Sequence, residues 1–199
     1  YVLDGEAYQT AFCFPHILPG KTNEVKYYLN GERGLPMWII NKQISNGVLF
    51  AGFPSDWEPD KLLRESEKMK NSRVWATFLA PNGMAAEMRG IENNKPAKIL
   101  AKGSEKNTGG YLVPAEKKYN EGVLAICEAS VDATSYSSLY PGRSSTSVMG
   151  VNVDLAIELT FEADEKGLKS HINFDNDFAG NTATFQFHKK IQEQIDDDE

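Results

Sequence analysis

The clearest pattern in the chain is a strict alternation of apolar and polar or small residues over 151–161. The large apolar members are Val151, Val153, Leu155, Ile157, Leu159 and Phe161. A period of two is typical of a β-strand with one buried side and one solvent-facing side. The pattern therefore predicts one long strand.

Two shorter alternating runs follow this segment. The first covers 168–174 and the second 183–187, and polar turns separate the three runs. Gly167 lies at the end of the first turn, where a residue with positive φ is needed. This order predicts an antiparallel meander over 151–188, because short turns can join only antiparallel neighbours.

The first quarter of the chain, 1–54, has short apolar runs separated by turn signals such as Asn30-Gly31, which predicts a β-rich unit. The strongest helix signal follows over 55–70. Ser55 can cap that helix, and Glu58 three residues later completes a capping box. Pro59 falls in the first turn, where a missing N–H costs nothing.

Further strands are predicted over 73–79 and 122–131, with a hairpin formed by 84–89 and 98–102. The fold class expected from this order is α+β, with a dominant, sandwich-like antiparallel sheet and one main helix near 55–70. We expect one domain over 1–195, with a possible N-terminal β unit over 1–54. The last four residues, 196–199, form an acidic tail.

The net charge and the first residue of the sequence bear on the expected partners and location of the protein. The net charge is −7, from 28 acidic and 21 basic residues, and no basic cluster offers contacts to phosphates. Nucleic acid is therefore not expected as a partner. No apolar run is long enough for a transmembrane helix. Because the sequence starts at Tyr1, an exported or proteolytically processed chain is favoured, with no compartment assigned.

A serine-rich segment over 134–147 is long for a connection in a compact domain. We expect a mobile loop that becomes ordered only against a partner. Its large side chains are the candidate interaction residues: Tyr136, Leu139, Tyr140 and Arg143.

Catalytic motifs are missing from the sequence. It contains neither a serine nucleophile elbow nor a glycine-rich phosphate loop, and its three His and two Cys lack zinc-ligand spacing. Cys13 and Cys127 are interpreted as free thiols in preference to a disulfide. The best acid–base pair is Glu158 with His171, which the predicted meander places opposite each other, with His188 nearby. No catalytic residue, cofactor or metal ligand is assigned.

One motif resembles a metal loop. Asp175, Asp177 and Gly180 match the first, third and sixth positions of a calcium-binding loop. The fifth position is Ala179, and the twelfth is Gln186 in place of the bidentate Glu. A turn built on Asx side chains is the favoured interpretation, with a weak calcium site as the alternative.

These observations favour a non-enzymatic protein-interaction protein, either an assembly or structural subunit or a protein-binding inhibitor. Its expected partner is another protein or further copies of itself. One alternative is a small-ligand-binding protein with an aromatic-lined pocket built from Trp38, Trp57 and Trp75. The other is an enzyme that uses Glu158 and His171.

Overall fold

Two β-sheets organise the protein in a computed structural model that describes residues 11–55, 74–91, 97–105 and 109–197. The first sheet has five antiparallel strands in the order β1-β2-β3-β4-β5. The fold is α+β, as predicted. The strands of this sheet are β1 His16–Ile17, β2 Leu49–Phe53, β3 Trp75–Leu79, β4 Ala86–Gly90 and β5 Lys98–Leu100.

Strands β2 to β5 confirm the strands expected in this part of the chain. β3 and β4 are joined by the turn at 81–83, where Asn82 Oδ1 accepts a hydrogen bond from Met84 N (2.9 Å) and Gly83 has φ +71°. Phe78 pairs with Glu87 across the two strands, so these side chains share one face of the sheet. The same face carries Arg89, two residues after Glu87.

The β-rich structure expected over 1–54 is wrong over 22–45. Two helices, α1 Thr22–Tyr27 and α2 Met37–Ser45, occupy that stretch, and a π-helical turn over Tyr28–Glu32 follows α1. Ile39 and Ile40 are buried in the cluster that contains β2 and β3, so packing decides the conformation of this short apolar run. The helix expected over 55–70 lies outside the described residues, apart from Ser55.

The second sheet has four strands in the order β6-β8-β7-β9. β7 pairs in parallel with both β8 and β9, and only β6 is antiparallel to its neighbour. Three helices alternate with these strands, which is the arrangement of a parallel sheet covered on both faces. The elements are β6 Leu112–Val113, β7 Val123–Cys127, α3 Ser130–Leu139, β8 Ser144–Ser147, α4 Val153–Glu165, β9 Lys169–Asn173 and α5 Phe178–Asp197.

The helices lie on opposite faces of this sheet. Ala125 and Cys127 of β7 pack against Ala133 of α3 on one face. Leu124 and Ile126 pack on the other face, in a cluster with residues of α4 and α5. The five successive residues of β7 are all buried, as in a central strand of such a sheet.

The predicted meander is wrong. Its long first strand is helix α4, which begins where Asn152 Oδ1 accepts a hydrogen bond from Leu155 N (3.1 Å). Ala156, which the alternation placed on the solvent side, is fully buried. The middle run is strand β9, as expected, but it pairs in parallel with β7. The third run lies inside helix α5.

The serine-rich segment is not an irregular loop, because it contains the end of α3 and the whole of β8. Its hydroxyl groups bond within the fold: Thr134 Oγ1 donates to Ser130 O (2.8 Å), and Ser137 Oγ lies 2.7 Å from Ser145 Oγ. These bonds compensate for the low apolar content that suggested disorder. None of the helices in the described ranges is both long and apolar enough to cross a membrane.

Candidate metal centre at the carboxyl ends of the parallel strands

The three parallel strands β7, β8 and β9 end at the same edge of the second sheet. Beyond this edge, β7 leads into α3 on one face and β9 leads into α5 on the other. Neighbouring strands that lead to helices on opposite faces leave a crevice outside their carboxyl ends, where such sheets bind ligands. Glu128 follows β7 directly, and Asp175 and Asp177 follow β9.

Glu128 has a carboxylate that is only partly satisfied. Its Oε2 atom is buried and has no hydrogen-bond partner among the described residues, and the backbone of Asp175 makes only the smallest contribution to its pKa. Burial raises the pKa of Glu128, and the negative charges of Asp175 and Asp177 raise it further, against a smaller opposing effect of Lys98. The positive charge of Lys98 therefore does not balance the burial and the acidic neighbours of this carboxylate.

Asp132 adds a second carboxylate one helical turn after Glu128, in the first turn of α3. Burial raises the pKa of Asp132 most, and the charge of Asp175 raises it further. Arg89 of β4 acts in the opposite direction. Asp132 thus lies between the acidic strand ends and a basic side chain of the first sheet.

The turn that holds Asp175 and Asp177 is built around the start of α5. Asp177 Oδ1 accepts a hydrogen bond from Gly180 N (2.8 Å), and its backbone carbonyl accepts one from Asn181 N (2.9 Å). A Cβ atom on Gly180 would collide with the carbonyl oxygen of Asp175. The predicted Asx turn is confirmed, and it fixes the Asp177 carboxylate and the backbone of Asp175.

The loop after β8 lies at the same end of the sheet and is hydrogen-bonded to the backbone at the end of β7. Val148 N donates to Cys127 O and Gly150 N donates to Glu128 O, both at 2.9 Å. Met149 between them is buried and has φ +53°, a left-handed conformation that is rare for a residue with a side chain. Backbone strain of this kind concentrates at functional sites.

These carboxylates fit a hard divalent cation such as Mg²⁺. Within the described part of the chain, no three His, Cys, Asp or Glu side chains form a ready-made metal-binding group. Mg²⁺ does not need one, because it keeps several waters and is held by one or two carboxylates together with substrate phosphates. The buried, unpartnered Oε2 of Glu128 and the mutual repulsion with Asp175 are the features that a cation would relieve.

The predicted acid–base pair does not form. Glu158 is exposed on α4, whereas His171 lies on β9 with Nδ1 3.3 Å from Tyr136 Oη. The pairing depended on a hairpin that is absent. Cys13 and Cys127 are free thiols, as predicted. Burial raises the pKa of Cys127 to about 12, with smaller contributions from Asp132 and Asp175, so this thiol is not a nucleophile at neutral pH.

The candidate interaction residues lie together at the far end of α3 from Glu128. Arg143 donates from Nε to Glu121 Oε2 (2.7 Å) and from Nη1 to Tyr136 Oη (3.2 Å), and its guanidinium lies 4.9 Å from the Tyr140 ring centroid. Leu139 is 73% exposed. That these four side chains bind a partner stays a prediction.

The three tryptophans do not support an aromatic-lined pocket. Trp75 is buried in a core cluster with Ala86 and Met88, whereas Trp38 is exposed on α2. Trp57 lies outside the described residues.

The sequence interpretation missed Glu128 and Asp132 altogether. The available signal was their position immediately after an apolar strand, matched by Asp175 and Asp177 after a second one. Only parallel pairing brings the two strand ends to one edge, and the sequence had been interpreted as antiparallel.

Comparison with known proteins adds a family match to this geometry. A family described as Toprim-like matches residues 125–198, the part of the chain that contains all four carboxylates. No curated protein matches. Among solved structures, the RNA polymerase and zinc-binding domains of the Aquifex aeolicus primase match with 20% identity and a TM-score of 0.49. That match covers 82% of this chain and 45% of the primase chain, so this chain spans less than half of its length.

The Toprim-like match corrects the functional predictions. It points to a nucleic-acid-associated and enzymatic function, so the predicted non-enzymatic interaction protein is wrong, both as a structural subunit and as an inhibitor. The same match also contradicts the small-ligand-binding alternative. The exclusion of nucleic acid is also wrong. That exclusion relied on the net charge, whereas carboxylates can meet phosphates through bound cations.

Proposed function

We propose that residues 125–198 form the active site of a metal-dependent enzyme that makes or breaks phosphodiester bonds in nucleic acid. The observation that carries this proposal is the meeting of Glu128, Asp132, Asp175 and Asp177 at the ends of β7 and β9, inside the segment with the Toprim-like match. In this proposal, one or two of the carboxylates of Glu128, Asp175 and Asp177 bind the cation directly, waters and substrate phosphates complete its shell, and Asp132 adds negative charge nearby.

A divalent cation bound here would supply positive charge to the oxygens of a phosphate group, which lowers the barrier to phosphoryl transfer. The protein's own part is positioning. The Gly180 N–H fixes the orientation of the Asp177 carboxylate, and the backbone of Asp175 lies close enough to Glu128 to favour its charged form. The raised pKa values of Glu128 and Asp132 also make either carboxylate a stronger proton acceptor than an ordinary Asp or Glu carboxylate.

An oligonucleotide assay tests the proposal. The 199-residue chain is incubated with a labelled single-stranded oligonucleotide and nucleoside triphosphates, with Mg²⁺, with Mn²⁺ or with EDTA. Extension and cleavage are followed on the same gel. We expect a metal-dependent product that Glu128→Gln reduces by about 100-fold or more, since even the groups that merely support metal ligands cost 10–100-fold when removed.

The matched control is Glu162→Gln, which removes a carboxylate from the exposed side of α4, where it pairs with Lys166 (3.0 Å). This variant should keep wild-type activity. A wild-type chain with no metal-dependent product under either condition would contradict the proposal. So would equal activity of Glu128→Gln and the wild type.

A further inference from the structure

The strongest unexplained feature outside the carboxylate cluster is Glu87 on β4. Its side chain is fully buried, which is rare for a carboxylate unless it is paired. Oε2 accepts hydrogen bonds from both the backbone N and the Oγ of Ser130, each at 3.0 Å. Oε1 accepts one from Arg89 Nε at 2.9 Å. One carboxylate thus connects the first sheet to the start of α3.

Glu87 replaces a missing helix cap. The N-cap residue of α3 is Ala129, which has no side-chain oxygen to offer. The Glu87 carboxylate accepts the free N–H of Ser130 in its place, and a negative charge at a helix N-terminus is favourable. Ser147 Oγ of β8, 3.1 Å from Ser130 Oγ, completes the buried network. The start of α3, between Glu128 and Asp132, is therefore held from the first sheet.

The other half of the Glu87 carboxylate orients Arg89. The two residues lie two apart on one strand, so both side chains leave the same face of the sheet. The Arg89 charge reaches Asp132, whose carboxyl it favours in the charged form. Arg89 remains partly exposed, with 17% of its side chain accessible. A partly exposed guanidinium beside a metal-binding acidic cluster suits a phosphate group, which arginine binds through paired N–H donors.

We propose that Glu87 is a positioning residue for the candidate active site: it holds the start of α3 and directs Arg89 of the first sheet towards a phosphate of the bound nucleic acid. This proposal rests on the proposed function. It adds that the site is incomplete without the first sheet and that Arg89 makes the phosphate contact.

A double-mutant cycle tests this positioning role. The probe is a fluorescein-labelled single-stranded oligonucleotide, whose binding to the wild type, Glu87→Gln, Arg89→Ala and the double variant is followed by anisotropy in MnCl2. We expect each single change to weaken binding about 10-fold, the size of one charge-assisted hydrogen bond. The double variant should lose clearly less affinity than the product of the two single losses, because Glu87 acts in part through Arg89.

Manganese affinity separates this proposal from the proposed function. Glu87→Gln and Arg89→Ala should retain Mn²⁺ affinity to within about threefold, because neither side chain is a proposed ligand. A purely structural Glu87 would give additive losses in the cycle, or lower stability with unchanged oligonucleotide binding, and either result overturns the proposal. A wild type that binds Mn²⁺ but no oligonucleotide overturns it too, while the metal site stands.

Arg89→Lys keeps the test decisive if Glu87→Gln does not fold. Lysine retains the charge and leaves Glu87 with a cationic neighbour, but it cannot reproduce the planar, two-pronged donor. We expect this variant to fold and to bind the oligonucleotide about 10-fold more weakly. Wild-type binding by Arg89→Lys would contradict the orientation argument.

Discussion

At the residue scale, the account depends on carboxylates whose charges are not balanced by the protein alone. Glu128 and Asp132 both have raised pKa values, because burial and the charge of Asp175 disfavour their charged forms. In the folded protein such groups bind protons more tightly than in the unfolded chain. Above the ordinary carboxyl pKa they therefore reduce the stability of the fold.

This repulsion gives a pH prediction for the metal-free protein. As pH rises from the ordinary carboxyl pKa, 4.5 for Glu128, through the raised value, the folded state binds more protons than the unfolded state, so the free energy of unfolding falls. In EDTA at neutral pH, Glu128→Gln should therefore be more stable than the wild type. Denaturation measured at a series of pH values checks this. Mg²⁺ should raise the melting temperature of the wild type and not that of the variant.

The control for this measurement is Glu165→Gln, which removes one negative charge from the exposed end of α4. It should leave the response to Mg²⁺ unchanged. If Glu128→Gln were less stable than the wild type in EDTA at neutral pH, the carboxylate would be stabilising the fold and the repulsion argument would be wrong.

Gly180 provides a second test at the same scale. Gly180→Ala forces a Cβ against the Asp175 carbonyl oxygen, so the turn that carries Asp175 and Asp177 must move. We expect a loss of about 1–3 kcal/mol in unfolding free energy, in the range of overpacking, together with weaker Mn²⁺ binding. Gly20→Ala is the control, because a Cβ there meets nothing within 4 Å. Equal behaviour of the two variants would contradict the close approach.

At the element scale, the instructive error is the interpretation of 151–161 as a strand. The large apolar residues alternate, but Val153, Ala156, Ile157 and Ala163 also fit the spacing of a helix face, and those four are buried. The burial of the small Ala156 distinguishes the helical period from the strand period. Asn152 is the N-cap residue of α4, which the sequence interpretation missed. Strands β3 to β5 were predictable because short connections fix antiparallel hairpins, whereas parallel pairing depends on contacts distant in sequence.

Ala156 separates the two interpretations experimentally. Ala156→Asp would face solvent in the predicted strand and cost little, but in α4 it places a charge at a fully buried position. We expect it to unfold the protein or to cost more than about 3 kcal/mol in urea denaturation. Glu158→Ala, exposed on the same helix, should change the unfolding free energy by less than about 1 kcal/mol. Similar small effects of both changes would contradict helix α4 and support the strand interpretation.

At the scale of the whole molecule, net charge was a poor guide to function. A value of −7 is a property of the complete chain, whereas Asp132 is close enough to Arg89 for the two charges to interact, and Glu128 similarly senses Lys98. Both basic residues lie on strands of the first sheet, whereas the four carboxylates lie in the segments and the helix that follow strands of the second. The sequence predicted four of the five strands of the first sheet and two of the four strands of the second, but not their juxtaposition, because the acidic strand ends lie 47 residues apart in the chain.

Mn²⁺ titration followed by electron paramagnetic resonance tests whether the carboxylates of Glu128, Asp175 and Asp177 form a site for a divalent cation. Asp177→Asn is the sharpest variant, because asparagine caps a helix as well as aspartate does while it removes the charge. The account predicts saturable Mn²⁺ binding by the wild type, and affinity lowered about 10-fold or more in Glu128→Gln and Asp177→Asn with their circular dichroism unchanged. Mn²⁺ binding that is absent in the wild type, or identical in all three proteins, would contradict it.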